Sequence, residues 1–336
     1  MEPPAPISCS GNCLVHLHSA AGEAWLHCHS CPFKQHVGPD GITRFRVPTG
    51  NNDATFLSAK EIFTSRLQSQ IADFESQHGQ RVQNIVAIIP ACTNPRQYQS
   101  NLSTIAAAAG VRIVYSIHRS FLAASAYRPP STPERRNVLV FELGGRFLEI
   151  SLLTEDRNRG RDLNIKAAVS DLGCPFLSHM VSGVPWIYNF DSERDAVFLS
   201  YMRTECERAK DALCLGSATV EVKIDIPGLE TRKLIDREWL VLMNLDHLRS
   251  GITRCLTEAR VRKEDVDEVV LAGASSNIPE VRGVLLEFFQ EQKFRCSIDP
   301  ANLIFLTSQS CTNYISSRLN IPVTIFEGLN LGLHAF

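Results

Sequence analysis

Residues Asn137–Thr154 read N-V-L-V-F-E-L-G-G-R-F-L-E-I-S-L-L-T, and this stretch decides the fold. Apolar residues fill both of its halves, and the glycine pair Gly144–Gly145 separates them. The pattern predicts a strand, a tight turn and a second strand. Because glycine has no Cβ, paired glycines let backbone N–H groups approach an anion, as in a phosphate-binding hairpin. An ordinary turn uses the same residues, so the motif by itself leaves both interpretations open.

The hairpin resembles the second phosphate hairpin of the DnaK-type, seventy-kilodalton heat-shock chaperones, whose pattern is F-D-L-G-G-G-T. This chain keeps Phe141, Leu143 and the two glycines of that pattern. Glu142 stands where the family has a metal-linked aspartate, while Arg146 and Phe147 replace the third glycine and the phosphate-contacting threonine. The resemblance therefore implies a phosphate hairpin whose backbone frame is kept and whose chemistry is altered.

Four other segments follow the family in the same order along the chain. They are Val86–Gln97, Ala109–Tyr127, Arg203–Leu213 and Val269–Arg282. The first is similar to a core strand that leads into a helix, and the third is similar to the adenosine-binding helix. Alternating strands and helices favour an α/β arrangement. The resemblance covers roughly residues 55–310 and implies an α/β, actin-like ATPase fold, with two lobes that face each other across a nucleotide cleft.

The length of 336 residues is enough for about two domains. We expect residues 1–50 to form a Cys/His-rich N-terminal segment with the first hairpin of lobe I, residues 51–136 the remainder of lobe I, and residues 137–336 lobe II. The stretch before Ser58 is much shorter than in the family, so the first lobe is expected to lack its small subdomain. No peptide-binding domain is expected, because the chain ends at Phe336, soon after the last matching segment.

Local patterns predict several single elements. Apolar residues with a helical period predict a helix at Ser58–His78. The other predictions are two short strands within Cys13–His29, a loop over Cys31–Val47 with a strand at Ile42–Val47, and alanine-rich helices at Asn101–Ala109 and Phe121–Tyr127. The apolar tail Ile321–Phe336 is either the closing strand and helix of the second lobe or a docking segment for a partner.

Six residues match nucleotide contacts of the family: Gly144, Gly145, Glu207, Lys210, Gly273 and Ser275. By the resemblance, Glu207 and Lys210 hold the ribose and the base; on an ordinary helix they form an exposed ion pair instead. Neighbouring contacts are altered, because Asp211 replaces an adenine-stacking arginine, Cys214 a serine, and Ala274 the second glycine of a G-G-S turn. The sequence thus predicts a vestigial nucleotide site, with either no cofactor or weak binding of ATP or ADP.

The magnesium side of the cleft departs further from the family. Arg119 replaces the glutamate of the N-E-P-T motif. In the stretch similar to the first phosphate hairpin, His16, His18 and Ala20 stand where the family has an acid, a glycine and a threonine. Arg119 and Arg146 either bind an anion directly, because guanidinium suits phosphate, or are solvated or salt-bridged surface side chains. Removing one transition-state contact costs about 10²–10³ in rate. With at least four positions altered, the sequence predicts a pseudo-ATPase and not an enzyme.

The N-terminal segment carries a possible metal site outside this resemblance. Cys9, Cys13, Cys28 and Cys31 have the pair spacing of a four-thiolate zinc site. Zinc bound there would stabilise the fold rather than catalyse a reaction. The alternative is that the segment is an ordinary strand pair whose histidines form its polar face.

Composition limits the choice of partners and compartment. The net charge of −2 gives no general attraction to nucleic acid or membrane, and no apolar run reaches the roughly 18 residues of a membrane span. The eleven cysteines, without a secretory signal at the N-terminus, indicate reduced thiols in the cytoplasm or nucleus.

Three functions are compatible with the sequence. The first is a non-catalytic scaffold or adaptor that binds other proteins in a multiprotein complex. Atypical members of the family with dispensable ATPase activity pair with J-domain proteins at the ribosome, which suggests one setting for such a scaffold. The second function is an ATP-binding co-chaperone that works with a J-domain protein. The third is a zinc-stabilised adaptor that uses the N-terminal cysteines.

Overall fold

The structure is a computed structural model. It describes residues 15–16, 25–26, 35–48, 54–91, 95–127, 135–144, 148–156, 163–171, 205, 208–209, 212–213, 216–226, 229–319, 322 and 324–325. Within these residues the strands are β1 (Val15–His16), β2 (Trp25–Leu26), β3 (Gln35–Val37), β4 (Thr43–Pro48), β5 (Ala54–Ser58), β6 (Asn84–Ile89), β7 (Arg112–His118), β8 (Arg135–Leu143), β9 (Leu148–Asp156), β10 (Leu163–Asp171), β11 (Thr219–Ile226), β12 (Leu229–Asp236), β13 (Glu268–Ala272), β14 (Phe294–Arg295) and β15 (Thr324–Ile325). The helices are α1 (Ala59–His78), α2 (Pro95–Ala108), α3 (Arg119–Ser125), α4 (Arg237–Ala259), α5 (Pro279–Phe288) and α6 (Leu303–Leu319).

The first sheet consists of three parallel strands in the order β15-β6-β7. Its central strand β6 is buried from Ile85 onwards. Leu67 and Ile71 of α1 and Leu102 and Ile105 of α2 belong to the same apolar core as this strand. The helices α1 and α2 therefore stabilise the sheet by removing one of its faces from water.

Helix α1 begins and ends where its sequence dictates. The Ser58 side chain accepts a hydrogen bond from the Glu61 N–H at 3.3 Å, and the Glu61 carboxylate accepts one from the Ser58 N–H at 2.8 Å. This reciprocal capping box satisfies N–H groups that have no partner within the helix. The helix ends at Gly79, whose φ of 64° suits glycine. The helix predicted for Ser58–His78 is confirmed.

The strands before Ser58 form two small antiparallel sheets. Strand β1 pairs with β2, which confirms the two short strands predicted within Cys13–His29. Strands β3, β4 and β5 form the other small sheet. The strand predicted at Ile42–Val47 is confirmed as β4, but the loop predicted before it is wrong at Gln35–Val37, which is β3. The loop prediction missed β3 because that strand has only three residues, Gln35–Val37. Phe45 of β4 is buried in the core that α1 covers, and this contact anchors the sheet.

The last described strand, β15, adds to the first sheet. β15 pairs with β6 in parallel, with Thr324 opposite Ile85, and the Asn84 side chain donates a hydrogen bond to the Pro322 carbonyl at 3.3 Å. The prediction of a strand in the tail is confirmed for Thr324–Ile325, but this strand joins the first sheet and not the second. β6 thus has β15 and β7 as its two neighbours, and β1 lies beside neither edge of it.

The second sheet has five strands in the order β10-β9-β8-β13-β14, and α-helices cover both of its faces. Leu139 and Phe141 of β8 face the core formed with α4 and α5. Val138 and Val140 face the core formed with α3 and α6. Two buried faces explain why the run V-L-V-F is apolar without alternation. The predicted strand-turn-strand at Asn137–Thr154 is confirmed as β8 and β9, paired with Leu143 opposite Leu148.

Cys255 of α4 lies inside the core that α4 and α5 form with the five-stranded sheet, and burial raises the pKa of its thiol to about 12. It is a free cysteine, as are Cys296 and Cys311.

None of the helices in the described ranges is both long and apolar enough for a membrane span. The alternation of helices and strands confirms the predicted α/β class.

Candidate functional site

The carboxyl ends of parallel strands from both sheets meet at one place. Strands β6 and β7 end at Ile89 and His118, and strands β8 and β13 end at Leu143 and Ala272. Crevices outside the carboxyl ends of parallel strands are the usual ligand sites of open α/β sheets. The candidate site is the cleft formed by the residues that follow these four strands.

A buried ion pair joins the two sides of the cleft. Arg119, the residue after β7, donates from Nε to both carboxylate oxygens of Glu142 at 2.8 and 3.0 Å, and its Nη2 also contacts Oε1. Arg119 is 3% exposed and Glu142 is 1% exposed. Strand alternation places Glu142 on the same face of β8 as Val138 and Val140, which is the face that α3 covers. The pair thus connects the end of the first sheet to the second.

A second carboxylate lies beside the first. Glu149 of β9 is directly opposite Glu142 in the strand register, so both side chains project from the same face. Glu149 is 1% exposed, and its Oε2 accepts a hydrogen bond from the Ala91 N–H at 2.8 Å. Ala91 follows β6, so this bond also connects the two sheets. Two acidic side chains this close are tolerated because Arg119 supplies a positive charge at Glu142.

His118 fixes the end of β7 on the first-sheet side. Its Nδ1 lies 3.1 Å from the Pro90 carbonyl, and its ring packs edge-on against Phe121. Burial lowers the pKa of His118 below its usual value, while the bond to Pro90 acts in the opposite direction. The imidazole is therefore neutral near pH 7, and it donates to the carbonyl through a protonated Nδ1.

The glycine turn after β13 packs directly on the β8–β9 hairpin. Gly273 has a φ of +81°, and a Cβ built on it would lie 2.3 Å from the Leu143 oxygen and 3.0 Å from the Gly144 nitrogen. The Leu143 N–H donates to the Ser276 hydroxyl at 3.2 Å, and that hydroxyl donates to the Ala272 carbonyl at 2.6 Å. This close backbone contact is possible only because residue 273 has no side chain.

The described structure contains half of the six predicted nucleotide contacts. Gly144, Gly273 and Ser275 lie together at the hairpin and the turn, and Gly144 and Ser275 are buried. The other three contacts, Gly145, Glu207 and Lys210, lie outside the described residues, as do Arg146, Phe147, Asp211 and Cys214. A role in nucleotide binding remains a prediction for all six residues.

The proposed zinc ligands Cys9, Cys13, Cys28 and Cys31 also lie outside the described residues. No cluster of three or more His, Cys, Asp or Glu side chains suited to a metal occurs in the part of the chain that the structure describes. The zinc site therefore stays a prediction, which elemental analysis of the purified protein would test.

The structure corrects one expectation and adds two residues. Arg119 is salt-bridged, as one alternative held, but it is buried and not on the surface. Glu149 and Ser276 are the additions, since neither was among the residues predicted from the sequence. A charged residue within the apolar run F-L-E-I-S-L-L was a signal for Glu149, because a carboxylate in a strand covered on both faces needs a partner. Ser276 gave no such signal.

A comparison with protein families identifies the chain. The family model described as "Hsp70 protein" matches residues 20–306. The chain belongs to the Hsp70 family. Its two sheets around a common cleft are accordingly the two lobes of the family's actin-like fold.

Individual relatives agree with this assignment. This Hsp70-family chain is 31% identical to a heat shock protein of Pyricularia oryzae over 81% of its own length and 45% of that protein. It is 30% identical to a ribosome-associated molecular chaperone of Zygosaccharomyces rouxii, over 80% of the chain and 45% of that protein. It is 29% identical to a heat shock 70 kDa protein of Oryza sativa subsp. japonica, over 79% and 41%. The chain spans less than half of the length of these relatives.

Proposed function

We propose that this Hsp70-family chain is a non-catalytic pseudo-ATPase that acts as a scaffold or adaptor, binding other proteins in a multiprotein complex without using nucleotide. The observation that carries this proposal is the buried ion pair between Arg119 and Glu142. By the family resemblance, these two positions hold the carboxylates tied to magnesium and its water network. In this chain the first position is Arg119, and its guanidinium forms an ion pair with Glu142 at the second.

Electrostatics supports the loss of magnesium binding. Two unit charges 4 Å apart interact by about 4 kcal/mol at an effective dielectric constant of 20. A divalent ion beside the Arg119 guanidinium would meet a repulsion of this order or larger. The Glu142 carboxylate would also have to give up its hydrogen bonds from Nε and Nη2 of Arg119 before it could reach a metal. These residues do not fit the metal-bound phosphate chemistry of the family.

The connection between the two sheets supports the scaffold. The Arg119–Glu142 pair and the bond from the Ala91 N–H to Glu149 both cross the cleft, and both are buried. These contacts are made by the protein itself, so the relative position of the sheets does not require a bound nucleotide. A fixed surface of this kind is what an adaptor subunit presents to its partners.

An ATP-binding co-chaperone that works with a J-domain protein is the second candidate. The observation that favours it is the contact of Gly273 with the Leu143–Gly144 backbone, because Gly144 and Gly273 leave this part of the hairpin without obstructing side chains. For either candidate we propose a cytoplasmic or nuclear setting, where the free cysteines stay reduced.

Nucleotide dependence of the complex separates the two candidates. The full chain, affinity-tagged in its own cells, is purified with its stoichiometric partners and washed with ATP and magnesium, or with pyrophosphate and magnesium as a control for ionic effects. A scaffold is expected to retain the same partners in both washes. Selective release by ATP would support the co-chaperone instead, and the absence of any stoichiometric partner would contradict the scaffold.

A further inference from the structure

The structure has a basic concavity on the second lobe, at the far end of the sheet from the cleft. It has a volume of about 380 Å³ and lies between the end of α4 and the end of α5. Its apolar part is formed by Leu256, Val261 and Phe288, and three cationic side chains also line it: Arg260, Arg262 and Lys263. Strand β13 runs from this end to Gly273, a distance of about 16 Å for five residues.

The backbone of the cationic rim is held in place by the fold. Arg260 has a φ of 54° and caps α4, where the Val261 N–H donates to the Leu256 carbonyl at 3.1 Å. The Lys293 ammonium donates to the carbonyls of Glu264 and Val266 at 2.9 and 2.6 Å and so fixes the turn that follows the rim. Because this backbone is already ordered, the loss of conformational freedom when a ligand binds is limited to the side chains.

Only part of the rim charge is neutralised. Arg262 forms two hydrogen bonds of 2.8 Å with Asp265. Arg260 and Lys263 have no carboxylate partner among the residues that the structure describes, and both are exposed. Two such cations above an apolar floor are complementary to carboxylates that flank an apolar side chain.

We propose that this concavity, defined by Leu256, Arg260, Val261, Lys263 and Phe288, binds a short acidic segment of a partner protein. One apolar side chain of that segment enters the floor, and its neighbouring carboxylates contact Arg260 and Lys263. The volume suits one or two side chains rather than a whole domain. The site lies outside the cleft, so it does not depend on whether the chain binds nucleotide.

Fluorescence anisotropy tests the proposal with a labelled decapeptide that has one central phenylalanine flanked by glutamates. Titration with the full chain is expected to give saturable binding. Replacing the phenylalanine by glycine should weaken binding by about tenfold or more, because the floor is then unfilled. The double variant Arg260→Glu with Lys263→Glu should weaken it by at least about tenfold, because both cations are reversed.

Arg254→Glu is the matched control variant. Arg254 lies on α4, whose last residues line the concavity, but Arg254 itself does not line it, and its side chain is 57% exposed. Its change is expected to alter affinity by less than about twofold. The proposal is overturned if the wild-type chain shows no saturable binding, if the glycine peptide binds equally well, or if the double variant and Arg254→Glu behave alike. A concentration-dependent dimer that only the double variant abolishes would also overturn it, in favour of a second copy.

Discussion

Replacement of Arg119 by methionine is expected to lower the free energy of unfolding by about 3–5 kcal/mol, because removing one partner of a buried ion pair leaves the other charge in a dry environment. Glu142 is 1% exposed, so water cannot replace the guanidinium. Methionine keeps most of the apolar length of arginine, which limits the change to the loss of charge and hydrogen bonds. Urea unfolding followed by circular dichroism measures the effect.

The second variant and a control make this result specific. Arg119→Met combined with Glu142→Leu is expected to recover at least half of the lost stability, because replacing both members of a buried pair by apolar groups is often close to neutral. Arg254→Met, at an exposed arginine 3.6 Å from Glu258, should change stability by less than about 0.5 kcal/mol. Equal effects of Arg119→Met and Arg254→Met would show that the cleft pair is not a buried contact between the sheets.

Gly273→Ala is expected to destabilise the protein by roughly 2–6 kcal/mol, for two independent reasons. A positive φ with an extended ψ is open essentially to glycine alone, and a side chain there costs about 1–3 kcal/mol. The new Cβ would also lie 2.3 Å from the Leu143 oxygen, and backbone shifts that relieve such overpacking cost about 1–3 kcal/mol. The measurement is the midpoint of urea unfolding.

Gly283→Ala is the matched control for this substitution. Gly283 lies within α5, and a Cβ built on it meets no atom within 4 Å. Since alanine is favoured over glycine inside a helix by about 0.5–1 kcal/mol, the same chemical change should stabilise the chain at this position. If both variants changed stability in the same direction, this would contradict the close contact between the turn at Gly273 and the hairpin.

The sequence predicted the elements whose signals are local. The apolar runs on either side of Gly144 specify β8 and β9, since both faces of these strands are buried. The helical period of apolar residues in Ser58–His78 predicted α1. The structure adds the capping bonds between Ser58 and Glu61 that fix the start of this helix. The family's motif positions also located the cleft, where Gly144, Gly273 and Ser275 lie together.

The pairings between distant residues could not be predicted. Arg119 and Glu142 are 23 residues apart, and their contact depends on how α3 packs on the second sheet. The sequence left two alternatives for Arg119, binding of an anion or a solvated or salt-bridged surface position. The structure confirms the salt bridge but places it in the interior. The strand β15 joins β6 across more than two hundred residues, and nothing in a two-residue strand specifies its partner.

The hairpin register places Glu149 opposite Glu142. The hydrogen-bond partner of the Glu149 carboxylate, the Ala91 N–H, is far away in the sequence. Only the fold brings the Ala91 N–H within 2.8 Å of the Glu149 carboxylate. In the sequence, Arg119, Glu142 and Glu149 are separate positions. In the fold they form one group of charges at the cleft.

Calorimetric titration of the purified full chain with ATP and magnesium tests the central claim most directly. The Arg119 guanidinium on Glu142 predicts no saturable heat up to about 1 mM ATP, which corresponds to a binding free energy weaker than about −4 kcal/mol. Saturable binding in the micromolar range that EDTA abolishes would contradict the claim, because it would require a metal site at a position where the structure has an arginine.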